Sequence, residues 1–166
     1  MLKPELLRQS LIEYAPWLRQ HPEQLSVSFQ QGEIVNTGFE PVTFRYHYNI
    51  EVEVRACPLH LDSLSVPILA WASLHQPELL LNPEQQRNGL RFSCETLDNN
   101  LSNLKISFPV DELVSVVRQD EQLLITHHVK AREQEQLGIW SLVFVDKFTG
   151  EAWRREDGKL IPIDYP

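Results

Sequence analysis

The sequence predicts an α+β fold, in which a twisted antiparallel sheet carries two main helices and a small β appendage follows at the C-terminal end. A run of thirteen residues from Phe44 to Ala56 alternates apolar and polar side chains without a break, which is typical of a strand with one polar face. Apolar residues at steps of three and four predict two amphipathic helices, and shorter alternating runs predict further strands.

The first helix is predicted near the start of the chain, where a stripe of apolar side chains recurs at helical spacing. The stripe consists of Leu7, Leu11, Tyr14 and Leu18. Pro16 should kink or shorten this helix near Tyr14, because proline removes a backbone hydrogen bond. Alternation from Leu25 to Phe29 then predicts a strand, and Gln31-Gly32-Glu33 is interpreted as the turn of a hairpin.

The long alternating run has a polar face that is a candidate subunit interface. At about 3.3 Å per residue the run spans roughly 40 Å, so part of it is expected to serve a neighbouring subunit. The interface candidates on this face are Arg45, His47, Glu51, Glu53 and Arg55. Glu51 and Glu53 are spaced like a catalytic carboxylate pair, but the flanking arginines favour a salt-bridged surface or a charged subunit contact.

The second helix is predicted from Leu64 to Leu74, with Asp62 or Ser63 as its cap and Pro77 as its stop. Its stripe includes Trp71, which is interpreted as a core residue or, alternatively, as a contact with a neighbour in an assembly. A short extra helical turn is expected after Asn82.

Alternating runs at residues 90–96 and 104–110, with an extension to 116, predict the next strands, and Leu123 to Ile125 predicts another. Pro109 indicates an edge or a bulge. Residues 1–127 are therefore expected to form the core, 128–137 a linker and 138–166 a C-terminal β arm.

The arm contains more aromatic surface than thirty residues can bury alone, so it is expected to dock on a partner or on the main body. Its interface candidates are Trp140, Phe148 and Trp153.

Composition excludes several classes of function. The net charge is −8, and residues 1–127 hold 9 basic and 16 acidic residues, which disfavours binding to duplex DNA. No apolar run is long enough to cross a membrane, the first residues do not form a secretory signal, and the protein is expected in a cytoplasm.

Cys57 and Cys94 are expected to be free thiols, buried or half-buried. His127 and His128 should point to opposite faces of a strand, so no metal site is predicted, and no cofactor or catalytic residue is either.

Several uncommon segments occur together in this chain. They are Met1-Leu-Lys-Pro, His21-Pro22-Glu23, Phe44–Val54, Val66-Pro-Ile-Leu-Ala-Trp71, Gln76-Pro77-Glu78, Asn82-Pro83-Glu84, Gly89 and Phe92. Through these segments the chain resembles the tail completion protein R family of contractile-tailed, temperate bacteriophages. The resemblance covers residues 1–127, whereas the linker and the tail depart from it.

The resemblance implies a non-enzymatic virion protein at the head-proximal end of the tail. It implies a fold like that of tail terminators and assembly with itself into a ring, expected to be six-fold. The implied partners are the tail tube, the sheath or terminator and the neck or connector proteins, and DNA could pass through the lumen. Assembly is expected in the host cytoplasm. One alternative is a transient assembly factor that is absent from the virion. Another is a small hydrolase or ligand-binding domain, which would need a pocket with convergent polar groups.

Overall fold

The computed structural model describes residues 1–39, 42–97, 100–119, 121–128, 143–145, 152–156 and 159–163. None of the helices in these ranges is both long and apolar enough to span a membrane. The helices are α1 (Lys3–Tyr14), α2 (Pro16–Gln20), α3 (Asp62–His75), α4 (Glu78–Leu81) and α5 (Pro83–Asn88), with a 3-10 turn at Pro22–Gln24. The strands are β1 (Leu25–Phe39), β2 (Val42–Cys57), β3 (Arg91–Thr96), β4 (Ser102–Gln119), β5 (Gln122–His128), β6 (Val143–Val145), β7 (Ala152–Glu156) and β8 (Lys159–Ile163).

The main sheet is antiparallel and has the order β1-β2-β4-β3, with β5 also paired to β4. Strand β2 pairs with one edge of β4, from Ser102 to Val116. The other edge of β4 is shared by two strands: β3 pairs with Ser102–Ser107 and β5 with Leu113–Gln119. Strands β6, β7 and β8 form a separate antiparallel sheet. The predicted α+β class, with an antiparallel sheet and flanking helices, is confirmed.

The core lies between one face of the main sheet and helices α1 and α3. The inward residues of β2 are the ones that the alternation predicted, from Tyr48 to Val54. Trp71 of α3 is only 2% exposed, and its ring centroid lies 6.0 Å from that of Phe108 on β4. Trp71 therefore belongs to the core of the isolated chain. The other buried members from the helices are Leu7, Leu11, Leu18, Leu64, Ile68 and Ala72.

The prediction of a turn at Gln31-Gly32-Glu33 was wrong. Strand β1 continues through these residues, and its register with β2 jumps from the pair Gln30–Asn49 to the pair Glu33–His47. Two residues of β1 therefore lie opposite one residue of β2, which defines a β-bulge. Gln31 has a φ of 51°, and this local kink absorbs the extra residue without reversing the chain.

A second irregularity ends the long alternation of β2 one residue earlier than predicted. Ala56 has a φ of 45°, and the pairing with β4 shifts between Val54 and Cys57. This shift places Cys57, and not Ala56, in the core, where it is buried.

The proline-based boundaries are confirmed. Helix α1 ends at Tyr14 and α2 begins at Pro16, while α3 ends at His75, before Pro77. Asn82 caps α5 by accepting a hydrogen bond from the Glu84 N–H at 3.0 Å. The predicted cap of α3 was wrong, because Leu61 stands at the N-cap without a side-chain hydrogen bond.

Candidate functional site

The outer edge of β4 has a gap, and a group of hydrogen-bonded polar residues lies beside it. On this edge β3 pairs with residues 102–107 of β4, and β5 pairs with residues 113–119. Residues 108–112, between these two segments, therefore have no strand partner on this edge within the described chain. Pro109 lies inside the gap, where its missing N–H costs no ladder bond on that side. The prediction of an edge at Pro109 was therefore correct locally, although β4 is a central strand.

Gln76, at the end of α3, closes part of this gap. Its Nε2 donates to Asp111 Oδ1 at 2.7 Å, and its Oε1 accepts from the Asp111 N–H at 3.4 Å. Lys3 Nζ also donates to Gln76 Oε1, at 2.7 Å. The gap thus joins α1, α3 and β4 through buried hydrogen bonds.

The central group of this region is Glu112, whose side chain is 1% exposed. Its Oε1 accepts from the Lys3 N–H at 2.9 Å and from the Tyr48 hydroxyl. Its Oε2 accepts from the Leu2 N–H at 3.1 Å and lies 3.0 Å from His127 Nδ1. One carboxylate therefore ties the N-terminal residues, β2 and β5 to β4.

The pKa of Glu112 reflects the several hydrogen bonds that its carboxylate accepts. Burial alone would raise the pKa of Glu112, but the hydrogen bonds from Tyr48 and from the N–H groups of Lys3 and Leu2 outweigh it and lower that pKa below its usual value. For Tyr48, burial and the hydrogen bond to Glu112 raise the pKa far above the ordinary value. The pair is held as a carboxylate and a neutral phenol, an arrangement that ties β2 to β4.

A polar cleft of about 510 Å³ opens beside the gap, between the polar face of the main sheet and the turn that follows α3. Its shortest ion pair joins Arg45 Nη1 to Asp111 Oδ2 at 2.6 Å. Burial raises the pKa of Asp111, but the Gln76 hydrogen bond and the charges of Lys3 and Arg45 outweigh it and lower the pKa. Arg45, Asp111 and Gln76, which all line the cleft, are thus already bonded to one another. The lining residues from the sheet are Gln31, Glu33, Arg45, His47, Tyr48, Asn49, Pro109, Val110 and Asp111, and those from the helical side are Gln76, Glu78, Asn82 and Gln85.

The rest of the polar face of β2 is also salt-bridged within the chain. Glu51 Oε2 lies 2.8 Å from Lys105 Nζ, and Glu53 Oε1 lies 3.0 Å from Arg55 Nε. Glu51 and Glu53 are therefore each paired with a cation, as expected of an ordinary charged sheet face. His47 remains exposed at the rim of the cleft.

The candidate functional surface that sequence reasoning missed lies at the end of the main sheet where β5 pairs with β4, here called the distal sheet (residues 33–39, 42–47, 111–119 and 122–128). In β5, Leu123, Leu124 and Ile125 are 67%, 54% and 58% exposed. Neighbouring strand residues point to opposite faces, so exposed aliphatic side chains lie on both faces of β5, with Leu123 and Ile125 on one face and Leu124 on the other. The other exposed apolar side chains of this region are Ile34, Val35, Val42 and Val117.

An exposed apolar surface of this kind is typical of interaction sites. The sequence contained a signal for it: three consecutive aliphatic residues break the alternation that a half-buried strand requires. Glu112 also left a signal, because it occupies an inward position in the alternation of β4, where a charge needs buried partners.

The remaining predicted site residues lie in the C-terminal arm. Trp140, Phe148 and most of the predicted linker fall outside the described residues. For Trp153 only the backbone is described, and it pairs with Phe144 and Pro162 in the small sheet.

The paired histidines and the two cysteines were also considered as possible functional residues. His127 contacts Glu112, whereas His128 Nε2 lies 2.7 Å from Ser115 Oγ. Within the described ranges no group of three or more potential ligands could hold a metal ion. Neither Cys57 nor Cys94 is in a disulfide, as predicted, but Cys94 is exposed and not buried or half-buried, since β3 is exposed along its length.

Comparison with known proteins gives one consistent result. The sequence model of a family described as P2 phage tail completion protein R (GpR) matches residues 1–134. A curated protein named Tail completion protein R, from Escherichia phage P2, is 30% identical over 130 residues, which cover 78% of this chain and 81% of that protein. No solved structure matches the chain significantly.

Proposed function

Since the chain belongs to the P2 phage tail completion protein R family, we propose that it is a structural protein of the head-proximal end of the tail. In this proposal it completes or caps the tail, as part of the virion, and offers the surface to which the head is joined. Its partners would be the tail tube, the sheath or terminator, and the neck or connector proteins. Membership of a tail completion family favours such a role over catalysis, and so does the internal pairing of the polar groups in the cleft.

The proposed assembly is a closed ring of about six copies, because copies that present two different complementary surfaces close into a ring when the rotation permits it. The observation that carries this part is the run of exposed aliphatic residues in β5. A tail-end ring needs a contact between subunits, and the distal sheet offers the apolar surface for it.

The charge of the chain fits a ring through which DNA passes. A net charge of −8 repels phosphate, so a lumen lined by this protein would let DNA slide without binding it specifically.

A first experiment tests assembly by light scattering at several concentrations. We expect a mass of about six chains for the wild type and a monomer for the double variant Leu123→Glu, Ile125→Glu, which places two like charges on one face of β5. The matched control is Phe92→Glu, because Phe92 is 66% exposed on β3, outside the distal sheet, and should leave the ring intact. A wild type that stays monomeric at every concentration would contradict assembly without a template.

A second experiment tests the role in the tail. In the phage or prophage that carries the gene, its disruption should yield filled heads and tails that fail to join, as seen by electron microscopy of lysates. Normal joined particles would reject the proposal. Quantification of the protein in purified wild-type particles separates a virion component from a transient assembly factor.

A further inference from the structure

We propose that neighbouring copies join by strand addition, in which β5 of one copy pairs antiparallel with the Glu33–Asn36 segment of β1 of the next. The inference deepens the proposed ring and rests on it. Its occupant is a second copy of this chain.

Both segments are edges without a strand partner on their outer side in the described chain. Strand β5 pairs only with β4, and β1 pairs only with β2. The register of β5 is unbroken from Gln122 to His128, and that of β1 is unbroken from Glu33 to Asn36, between two bulges. Each edge can therefore offer regularly spaced backbone donors and acceptors.

Neither segment contains a lysine or a proline. Soluble proteins guard exposed edges with such residues, with inward-pointing charges or with β-bulges, and the bulges of β1 lie on either side of the Glu33–Asn36 segment and not within it. Residues 122–128 contain no lysine, arginine, proline or acidic residue, and residues 33–36 contain a single acid, Glu33. At the centre of each edge lie exposed aliphatic side chains, Ile34 and Val35 in β1 and Leu123 to Ile125 in β5.

Strand direction favours a contact between the two different edges. Strands β1, β2, β4 and β5 are antiparallel at each step, so β1 and β5 run in opposite directions. In the proposed ring the strands run roughly along the ring axis, and rotation about that axis keeps their direction, so β5 of one copy meets β1 of the next as an antiparallel neighbour. The sheet would continue across the boundary with the ladder geometry that it has inside each copy.

The alternative contact is a twofold pairing of β5 with β5, which closes a dimer. Such a dimer would leave Ile34 and Val35 exposed, whereas the β5–β1 contact covers both apolar edges at once. The observations therefore favour the contact that closes a ring.

Cross-linking between chains tests this pairing. Ile34 pairs with Tyr46 and Ile125 with Val116, and both pairs lie on the same face of the sheet. We would place Ile34→Cys in one chain and Ile125→Cys in another, each with Cys94→Ser to remove the exposed thiol. Within one copy, β2 and β4 separate these two edges by three strand spacings, or about 14 Å. A bismaleimide shorter than that separation reports contacts between copies only.

The expected result is a cross-linked dimer when the two variants are mixed, and no cross-link with either variant alone. The control is Phe92→Cys mixed with Ile34→Cys, which should not cross-link because β3 lies at the other end of the sheet. A dimer from Ile125→Cys alone would overturn the proposal in favour of the twofold contact. A sample that light scattering shows to be oligomeric but that gives no mixed cross-link would also overturn it, and so would a strict monomer.

The cross-linking result and the proposed function fail separately. Assembled particles from a strain without the gene would reject the role in the tail, whatever the cross-links show. A ring that lacks the mixed cross-link would reject strand addition and leave the role in the tail standing.

Discussion

Replacement of Glu112 by Gln should destabilise the protein by about 2–4 kcal/mol. The amide oxygen of Gln can accept from the Lys3 N–H and the Tyr48 hydroxyl, as Oε1 does now. Its NH2 group would then face the Leu2 N–H, which donates to Oε2 in the wild type. The NH2 group of Gln would be buried with the side chain at position 112, and a buried donor without an acceptor costs about 1–3 kcal/mol. The partly buried Leu2 N–H loses its acceptor, and the other hydrogen bonds lose the strength that the ionised acceptor gives them.

The assay is urea unfolding of Glu112→Gln at constant protein concentration, followed by tryptophan fluorescence. The control is Glu121→Gln, because Glu121 lies in an exposed turn and a substitution there should change the free energy of unfolding by less than about 0.5 kcal/mol. A loss of less than about 1 kcal/mol in Glu112→Gln would refute the view that this carboxylate organises the gap.

The pH dependence of unfolding gives a second check on Glu112. Its folded pKa is lowered from an ordinary value of 4.5, so the unfolded chain takes up a proton at higher pH than the folded protein does. The stabilisation by Glu112 is therefore complete above about pH 4.5 and is lost as the pH falls through the folded pKa. Glu112→Gln should lose less unfolding free energy than the wild type as the pH falls through this range. Some dependence on pH remains in the variant, because the pKa of Asp111 is also lowered. An equal dependence of the unfolding free energy on pH in both proteins would contradict this role of Glu112.

Two further predictions concern packing and exposure. Gly89→Ala should cost about 1–3 kcal/mol of unfolding free energy, because a Cβ there would lie 2.5 Å from the backbone oxygen of Gln85 and 2.6 Å from Leu79 Cδ1. Gly32→Ala, with its nearest atoms at 3.6 Å, is the control for the same urea titration. Cys94 should react with a thiol reagent in the native protein at the rate of a free thiol, whereas Cys57 should react only on unfolding; a mass spectrum that shows early labelling of Cys57 would count against the buried bulge at the end of β2.

The fold was predictable because its signals are local. The alternation from Phe44 to Val54 identified β2 and its buried face, and Pro16 and Pro77 identified helix boundaries through the hydrogen bonds that proline cannot make. The bulge at Gln31 and Gly32 was not predictable in the same way. Glycine beside polar residues is equally compatible with a turn and with a bulge, and pairing with β2 decides between them.

The candidate surface was harder to predict than the fold. The sequence directed attention to the charged face of β2 and to the aromatic arm. On that face, Arg45, Glu51, Glu53 and Arg55 have ion partners within the chain. Whether Leu123 to Ile125 are exposed depends on where the helices that cover the sheet end. No local sequence pattern encodes the position of that end relative to β5.

By itself the sequence determined the α+β class, the family and the position of most elements, because periodicity, proline and uncommon segments act through neighbouring residues. Only the tertiary structure decided that Glu112 finds four partners from three parts of the chain and that β4 has a gap in its outer edge. It also decided that the aliphatic side chains of β5 in the distal sheet are exposed. These features depend on which residues distant in sequence become neighbours, and that follows from strand pairing and packing over the whole chain.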